Sequence, residues 1–313
     1  MDGLFLVNKP PRLTSHDVVQ KVRKILRIQK VGHFGTLDPM ATGLMIVAVG
    51  KATRFFPYYS KLDKVYQGQI RLGFATNTYD ADGTPSTVEC TNYPSEEALL
   101  KNMADFVGNI KQTPPLFSAK KFKGKPLYTL ARKNQEVKLT PITIHIYYFR
   151  LVSYDAPFID FQAACSSGTY IRSLAHDLGQ SLECGAHLSQ LERIAIGGFN
   201  IQSSATLETL EKSAQENKIE KLLIPLESVL PEFPKVILND EGVILVKNGN
   251  MVFSEHIHTD SPVSFNLPYS QTEPVKICRL FNRDGKLLAL GKIQPEKNGL
   301  HPYLVIDSEK PEV

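Results

Sequence analysis

The stretch Gly32-His33-Phe34-Gly35-Thr36-Leu37-Asp38-Pro39-Met40-Ala41-Thr42-Gly43 decides the reading of this chain. It sets one carboxylate, Asp38, in a loop with three glycines and a proline. Pro39 disfavours the α region for the residue before it, so Asp38 is expected to be extended. The glycines permit sharp turns and the close approach of another backbone. Leu44-Met45-Ile46-Val47-Ala48-Val49 follows, a continuous apolar run of strand length. An isolated Asp-Pro is ordinarily a turn whose aspartate bonds its own backbone. A carboxylate held beside a buried strand directs attention to what else could surround it.

Working outward, residues 4–8 read as a first strand. Thr14-Ser15-His16-Asp17 has the form of a capping box opening a helix, with Val18, Val19, Val22, Ile25 and Leu26 as its apolar stripe. Residues 66–74 alternate as a strand does, with Tyr66, Gly68, Ile70 and Leu72 on one face. Thr78 to Gly83 is a polar turn. Ser95 caps a helix expected to turn Leu99, Leu100, Met103, Phe106 and Val107 inward. Strands are expected over 143–151 and 158–165, and a helix after Gly168-Thr169-Tyr170-Ile171-Arg172 through Leu174 and Leu178. Residues 185–199 read as another helix and turn, and 207–221 as a charged surface helix. Pro225, Pro231 and Pro234 punctuate a linker. Beyond it lie short strand-like pieces at 236–238, 251–253, 275–280 and 287–290, with turn signals at Asn248-Gly249-Asn250 and Asn282-Arg283-Asp284-Gly285.

At 313 residues the chain suits one large domain or a large one with a small one. Its 42% hydrophobic and 22% charged residues are those of an ordinary globular protein. No apolar run approaches the roughly 20 residues a membrane helix needs, and Lys9-Pro10-Pro11 follows Met1 too soon for a signal peptide. The expectation is a cytoplasmic protein with no membrane partner. Cys90, Cys165, Cys184 and Cys278 are scattered and form no metal-ligand spacing, so reduced thiols are expected. His256 and His258 share a spacing that suits one strand face, but without a third ligand no metal is assigned. There is no P-loop and no dinucleotide fingerprint.

Net charge is +4, unevenly placed. Residues 1–60 hold nine Lys or Arg against three Asp, and residues 118–138 hold seven against Glu136 alone. Two basic regions on a nearly balanced chain point to a polyanion partner. The second region, within 113–140, carries Lys120-Lys121-Phe122-Lys123-Gly124-Lys125 after a Pro114-Pro115 break, then a helical stretch near 127–132. It reads as a basic excursion between core elements.

Asp38 is the candidate nucleophile or general base, and Arg172 its candidate partner, since a neighbouring guanidinium lowers a carboxylate pKa and orients both oxygens. Tyr66 offers an aromatic face and a phenol. Lys64 lies two residues earlier on the same strand face. His33 suits a phosphate or base edge. A glycosidase would need a second carboxylate about 5 Å from the first, for which Asp80 or Asp177 could be considered, but basic surfaces suit a neutral sugar poorly. A non-catalytic RNA-binding protein would not need Asp38, Tyr66 and Arg172 together.

Taken in order, several segments resemble the TruB family of bacterial tRNA pseudouridine synthases. They are Asn8-Lys9-Pro10 with Thr14-Ser15; Gly32 to Gly43 around Gly35-Thr36-Leu37-Asp38-Pro39; Lys64-Val65-Tyr66; Asp80-Ala81-Asp82-Gly83; Pro114-Pro115 with Ser118-Ala119; Gly168 to Arg172 with Asp177-Leu178-Gly179; and Cys184-Gly185-Ala186-His187-Leu188. The resemblance implies an α+β fold: a mixed, largely antiparallel sheet with flanking helices over 1–228, a basic RNA-gripping insertion at about 113–140, and a small β-rich PUA-like domain over 235–313. It implies isomerisation of uridine 55 in the tRNA T loop, with no cofactor and by base flipping. The partner implied is the T-arm stem-loop of tRNA, bound by a monomer. Carried over by motif, Asp38 is the catalytic aspartate, Tyr66 stacks on the target base and transfers a proton, and Arg172 pairs with Asp38. Tyr170 and Leu191 line the pocket, and His33 helps hold the flipped nucleotides. Lys9, Lys21, Lys24, Lys64, Lys120, Lys121 and Lys123 are expected on the RNA side. Three positions depart from the family pattern: Phe34 for a small polar residue, Arg12 for a glycine, and Phe117 for a tyrosine.

Overall fold

The computed structural model describes residues 1–117, 121–122, 125–126, 139–258 and 277–306. The chain divides into two compact units, Phe5–Leu222 and a second made of Met1–Leu4 with Leu223–Val313.

In the larger unit the elements run β1 (Gly3–Lys9), α1 (Ser15–Leu26), β2 (Val31–His33), β3 (Thr42–Val49), α2 (Phe56–Tyr59), β4 (Lys64–Leu72), α3 (Glu96–Asp105) and β5 (Gly108–Gln112). Next come a small hairpin of β6 (Lys121–Phe122) and β7 (Lys125–Pro126), then β8 (Ile142–Asp155), β9 (Phe158–Cys165), α4 (Ile171–Ser181), β10 (Ala186–Ile196), β11 (Phe199–Asn200) and α5 (Leu207–Gln215). The sheet order is β1-β3-β10-β4-β9-β8-β5, with β2 on β3 and β11 on β10. β10 runs parallel to β3 and antiparallel to β4. The pairs β4–β9, β9–β8 and β8–β5 are antiparallel. This is the mixed, largely antiparallel sheet with flanking helices that was expected.

Several elements follow directly from their sequence. Thr14 and Asp17 cap α1 reciprocally, and Val18, Val19 and Val22 are buried beneath it. β3 is buried along nearly its whole length, as a continuous apolar run requires. On β4, Lys64, Tyr66, Ile70 and Leu72 face inward while Gln67 is exposed.

Other elements differ from expectation. Residues 186–196 form a central strand, not a helix. Two register shifts in its pairing with β4, at Leu188/Gln190 and at Arg193/Ala195, break the two-residue alternation. Its buried positions, Ala186, His187, Leu188, Leu191, Arg193 and Ile196, therefore keep no single two-residue period. In α3 only Leu99 and Met103 are buried; Leu100 and Val107 are 47% and 45% exposed, because the helix ends at Asp105 and packs through one narrow face. The charged helix stops at Gln215, and Asn217 turns into the left-handed region at φ 55°.

The smaller unit contains β12 (Ile224–Pro225), which pairs with Gly3 and Leu4, and a four-stranded sheet of β13 (Lys235–Ile237), β14 (Ile277–Phe281), β15 (Leu287–Gln294) and β16 (Gly299–Val305). It also contains a helix absent from the sequence reading, α6 (Asp240–Lys247). Gly242 lowers its helical propensity, yet a Cβ there would stand 2.6 Å from the His256 carbonyl oxygen. Val236, Leu238, Val246, Val252, Cys278, Leu280, Leu288 and Leu300 form its core. His256 sits in a short turn, not a strand, and its ring accepts the Phe253 N–H. The piece before Ile277 lies outside the described residues.

Candidate active site

The loop carrying Asp38 is gripped from three sides. The Ser15 hydroxyl, at the start of α1, accepts the Leu37 N–H at 2.8 Å and donates to the Leu37 carbonyl at 3.0 Å. The Lys9 ammonium donates to the carbonyls of Pro10, Leu13 and Pro39 at 3.0, 2.7 and 3.2 Å. Arg193, on β10, donates to the carbonyls of Leu44, Thr36 and Gly35 at 2.8, 3.2 and 3.1 Å. Gly43 lets β3 lie against β10: at φ 104°, its Cβ would meet the Arg193 carbonyl oxygen at 2.4 Å.

Arg172 enters from the first turn of α4. That turn is fixed by Gln112, whose amide donates to the Tyr170 carbonyl at 3.0 Å and accepts the Tyr170 N–H at 2.8 Å. The Arg172 Nη2 donates to Asp38 Oδ1 at 3.1 Å, and Nε lies 2.8 Å from Oδ2 as an ionic contact rather than an aligned hydrogen bond. Nη1 reaches Asp80 Oδ2 at 3.2 Å and the Thr78 carbonyl at 3.0 Å, and Nη2 also donates to the Phe117 carbonyl at 2.8 Å. Arg172 is 4% exposed while the Asp38 side chain keeps 33% of its surface accessible, so the guanidinium is buried and the carboxylate opens to the surface. The Arg172 side chain is shared by two carboxylates, Asp38 and Asp80. Burial raises the Asp38 carboxyl above its ordinary value; Arg172 pulls it down, and Asp80 adds to the rise. The net direction is upward, opposite to what an Asp–Arg pair alone implies.

Tyr66 is buried on β4, paired with Arg193 across to β10 and Ala163 across to β9. Burial raises its phenol pKa, while the charge of Arg193, across the sheet, acts in the opposite direction. Leu191 is buried on β10 opposite Gly68. His33 ends β2, where its Nδ1 accepts the Gly35 N–H at 3.4 Å; burial lowers its pKa. Asp38, Arg172 and Tyr66 thus lie around one site, with His33 on the same loop. A cavity of about 640 Å³ opens beside Met40, Thr42 and Leu191, over the polar face of the sheet that carries Gln67, Gln69, Asp160 and Gln162.

Two of the lysines expected on the RNA side are placed otherwise. Lys9 is fully buried and holds three loop carbonyls, and Lys64 is buried with its ammonium on the Ser60 and Leu62 carbonyls. Burial lowers both to about 8. They are scaffold, because an ammonium enclosed by carbonyls presents nothing to a phosphate. Lys21 and Lys24 face solvent. Lys121 lies in the β6–β7 pairing; Lys120, Lys123 and the stretch at 127–132 lie outside the described residues. Phe34 is also structural: it is 1% exposed and stacks on Tyr59 at 5.3 Å between ring centres. Arg12 occupies a left-handed turn at φ 67°, a conformation that suits glycine.

Asp80 and Arg193 are the site residues that sequence reasoning did not place. Asp80 lay in a segment read as a polar turn, although it is 5% exposed; it was weighed only as the second carboxylate of a glycosidase and as part of the Asp80-Ala81-Asp82-Gly83 motif. Arg193 lay in the segment misread as helix. Among the described residues no cluster of three His, Cys, Asp or Glu side chains is placed to hold a metal, and all four cysteines are free.

Residues 23–171 match the model of the TruB family pseudouridylate synthase N-terminal domain, and residues 172–231 that of the tRNA pseudouridylate synthase B C-terminal domain. The chain is 39% identical over 306 residues to the tRNA pseudouridine synthase B of Solibacter usitatus, covering 98% of this chain and 100% of that protein. It is 38% identical over 312 residues to that of Dehalococcoides mccartyi, covering 99% and 98%. Among solved structures, a chain of a Cbf5-Nop10-Gar1 complex superposes with a TM-score of 0.71 at 26% identity, covering 98% of this chain and 85% of that one.

Proposed function

This chain belongs to the TruB family of tRNA pseudouridine synthases, which are isomerases, and on that premise we propose that it converts uridine 55 in the T loop of tRNA to pseudouridine. The observation that carries this reading is the Asp38 carboxylate held by a buried Arg172 near Tyr66.

The reaction breaks the C1′–N1 bond, turns the detached uracil and joins C5 to C1′. It involves no net redox change and no group donor. Asp38 serves as the nucleophile in its ionised form, which Arg172 favours against the opposing effect of burial. Tyr66 covers the loosened base and removes the C5 proton after rejoining. A uridine inside a folded loop is out of reach of a carboxylate held this way, so the nucleotide is drawn out of its stack, which costs a few kcal/mol. Tyr170, Leu191 and His33 act on the extruded nucleotides. The insertion at 113–140 grips the T arm, and the 235–313 unit serves as a PUA-type RNA-binding domain. The protein acts as a monomer in the cytoplasm.

One experiment tests this. The full chain is incubated with unmodified tRNA and with an isolated T-arm stem-loop, and pseudouridine is mapped. A single modification at position 55 in both is expected. Asp38→Asn is expected to bind tRNA within about tenfold of wild type but to release no tritium from C5-labelled uridine, because the shape is kept and the nucleophile lost. Wild-type-like release by the variant, or modification at another position, overturns the reading.

A further inference from the structure

The Arg193 guanidinium is 1% exposed, and among the described residues no carboxylate pairs with it. Buried charges are normally paired, since an uncompensated one costs several kcal/mol. The groups that feel its charge are Lys9, His33, Lys64, Tyr66 and Cys165. The first three are basic and gain nothing from a neighbouring cation. Lys9 and Lys64 shed some of that burden through pKa values lowered to about 8, whereas a guanidinium stays charged in proteins. Cys165 is pushed up to about 11 by burial and pairs across the sheet with Lys64 instead. Tyr66 alone in this set combines an acidic proton with a place directly across the sheet from Arg193.

Geometry favours the same pairing. Arg193 on β10 stands directly across from Tyr66 on β4. Three of its five N–H donors hold the carbonyls of Leu44, Thr36 and Gly35, so the plane of the guanidinium is fixed before the phenol is met. The titratable groups acting on the phenol are Arg193 from β10, the Cys165 thiol from β9 and Asp38 from the loop, and only Arg193 is cationic.

We propose that Arg193 is a positioning residue for proton transfer: its unpaired buried guanidinium orients the Tyr66 phenol oxygen and stabilises the phenolate that takes the C5 proton. This rests on the reading of Tyr66 given above. Once C5 is joined to C1′, it carries both the sugar and its hydrogen, and C6 is doubly bonded to N1. The phenol proton has passed to water. The phenolate takes the C5 hydrogen as a proton, and the C–H electron pair restores the C5–C6 double bond. The C6–N1 pair withdraws onto N1, which takes a proton from water. Arg193 touches neither sugar nor base in this scheme; it acts through Tyr66.

The test uses the full chain and a T-arm stem-loop with deuterium at C5 of the target uridine, in single turnover across pH. Arg193→Gln is expected to slow the reaction by about 10- to 100-fold, the effect of losing a hydrogen bond to a charged group. It is expected to move the rising limb of the pH profile up by about one unit and to enlarge the deuterium effect. Arg193→Lys should retain part of each property. 3,5-Difluorotyrosine at position 66, a more acidic phenol, should move the limb down in the wild-type chain and return it toward normal in Arg193→Gln. The wild-type arm gives a readout even where the glutamine variant folds poorly. A pH limb that ignores difluorotyrosine in the wild-type chain, or a slowed variant with an unchanged limb and isotope effect, overturns the proposal and leaves Arg193 a clamp on the loop. Tyr66→Phe turning over like wild type overturns the reading of Tyr66 instead.

Discussion

Arg172 is a cation in the first turn of a helix, where the peptide dipoles disfavour positive charge. Asp38 and Asp80 offset this from two directions, and Asp80 is the more deeply buried of the two. Asp80 therefore acts on Asp38 in two opposed ways. Through Arg172 it anchors the group that orients the nucleophile; through space its charge pushes the Asp38 carboxyl up. Asp80→Asn separates these. The plateau rate is expected to fall about 10- to 100-fold, as one charge-assisted contact loosens. The acid limb of activity is expected to move to lower pH, because removing a neighbouring negative charge makes Asp38 easier to ionise. Single-turnover rates across pH check both; a limb that moves upward would show that Arg172, rather than Asp80, dominates. The sequence made Asp38 and Arg172 legible as partners because each sits in a short motif of fixed spacing. Asp80 was not legible as their third member, since a polar turn gives the same residues whether its aspartate faces water or, as here, a guanidinium 92 residues further along the chain.

Helix α4 carries a second titratable group with a different consequence. Asp177 is half-buried, forms no ion pair among the described residues, and burial raises its carboxyl to about 6. In the unfolded chain an aspartate titrates near 4. The folded state thus binds this proton more tightly, so stability falls as pH rises from about 4 to 6 and the full cost persists above 6. Solvent screening of a half-exposed group leaves about 1 kcal/mol of it. Asp177→Asn is expected to raise the melting temperature by about 2–4 °C at pH 7.5 and to leave it unchanged below pH 4. Thermal unfolding at the two pH values checks this, and equal shifts at both would place the effect outside ionisation. At this scale, elements with one clean period were legible: the capped α1, the apolar β3 and the alternating β4. β10 was not, because its two register shifts break the alternation that marks a strand. Nor was α6, whose Gly242 answers to a tertiary contact and not to local propensity.

Across the whole molecule, charge is the property most readable from composition and least resolvable into contacts. Lys9 counts toward the basic excess of residues 1–60 yet is buried, as is Lys64 just beyond it, so counting residues overstates the surface potential near the site. The excess in the insertion is the more direct candidate for phosphate. Lys120, Lys121 and Lys123 changed together to Ala are expected to weaken tRNA binding and to flatten the dependence of log K on log salt by up to about 2–3 units, at roughly 0.7–0.9 per phosphate contact. Binding measured from low to high salt checks this; an unchanged slope removes the insertion from the interface.

The position of β10 has one more consequence. Strands β3 and β4 are neighbours in sequence, but in the sheet β10 lies between them. The Asp38 loop leads into β3, Tyr66 sits on β4, and Arg193 on β10 holds the loop and stands across from Tyr66. While the chain is being synthesised, the nucleophile and the aromatic group therefore exist for more than a hundred residues without the strand that joins them. A ribosome-bound fragment ending before Ala186 holds two halves of a sheet with an open edge on each, and the site closes as the last wedge of the architecture is inserted.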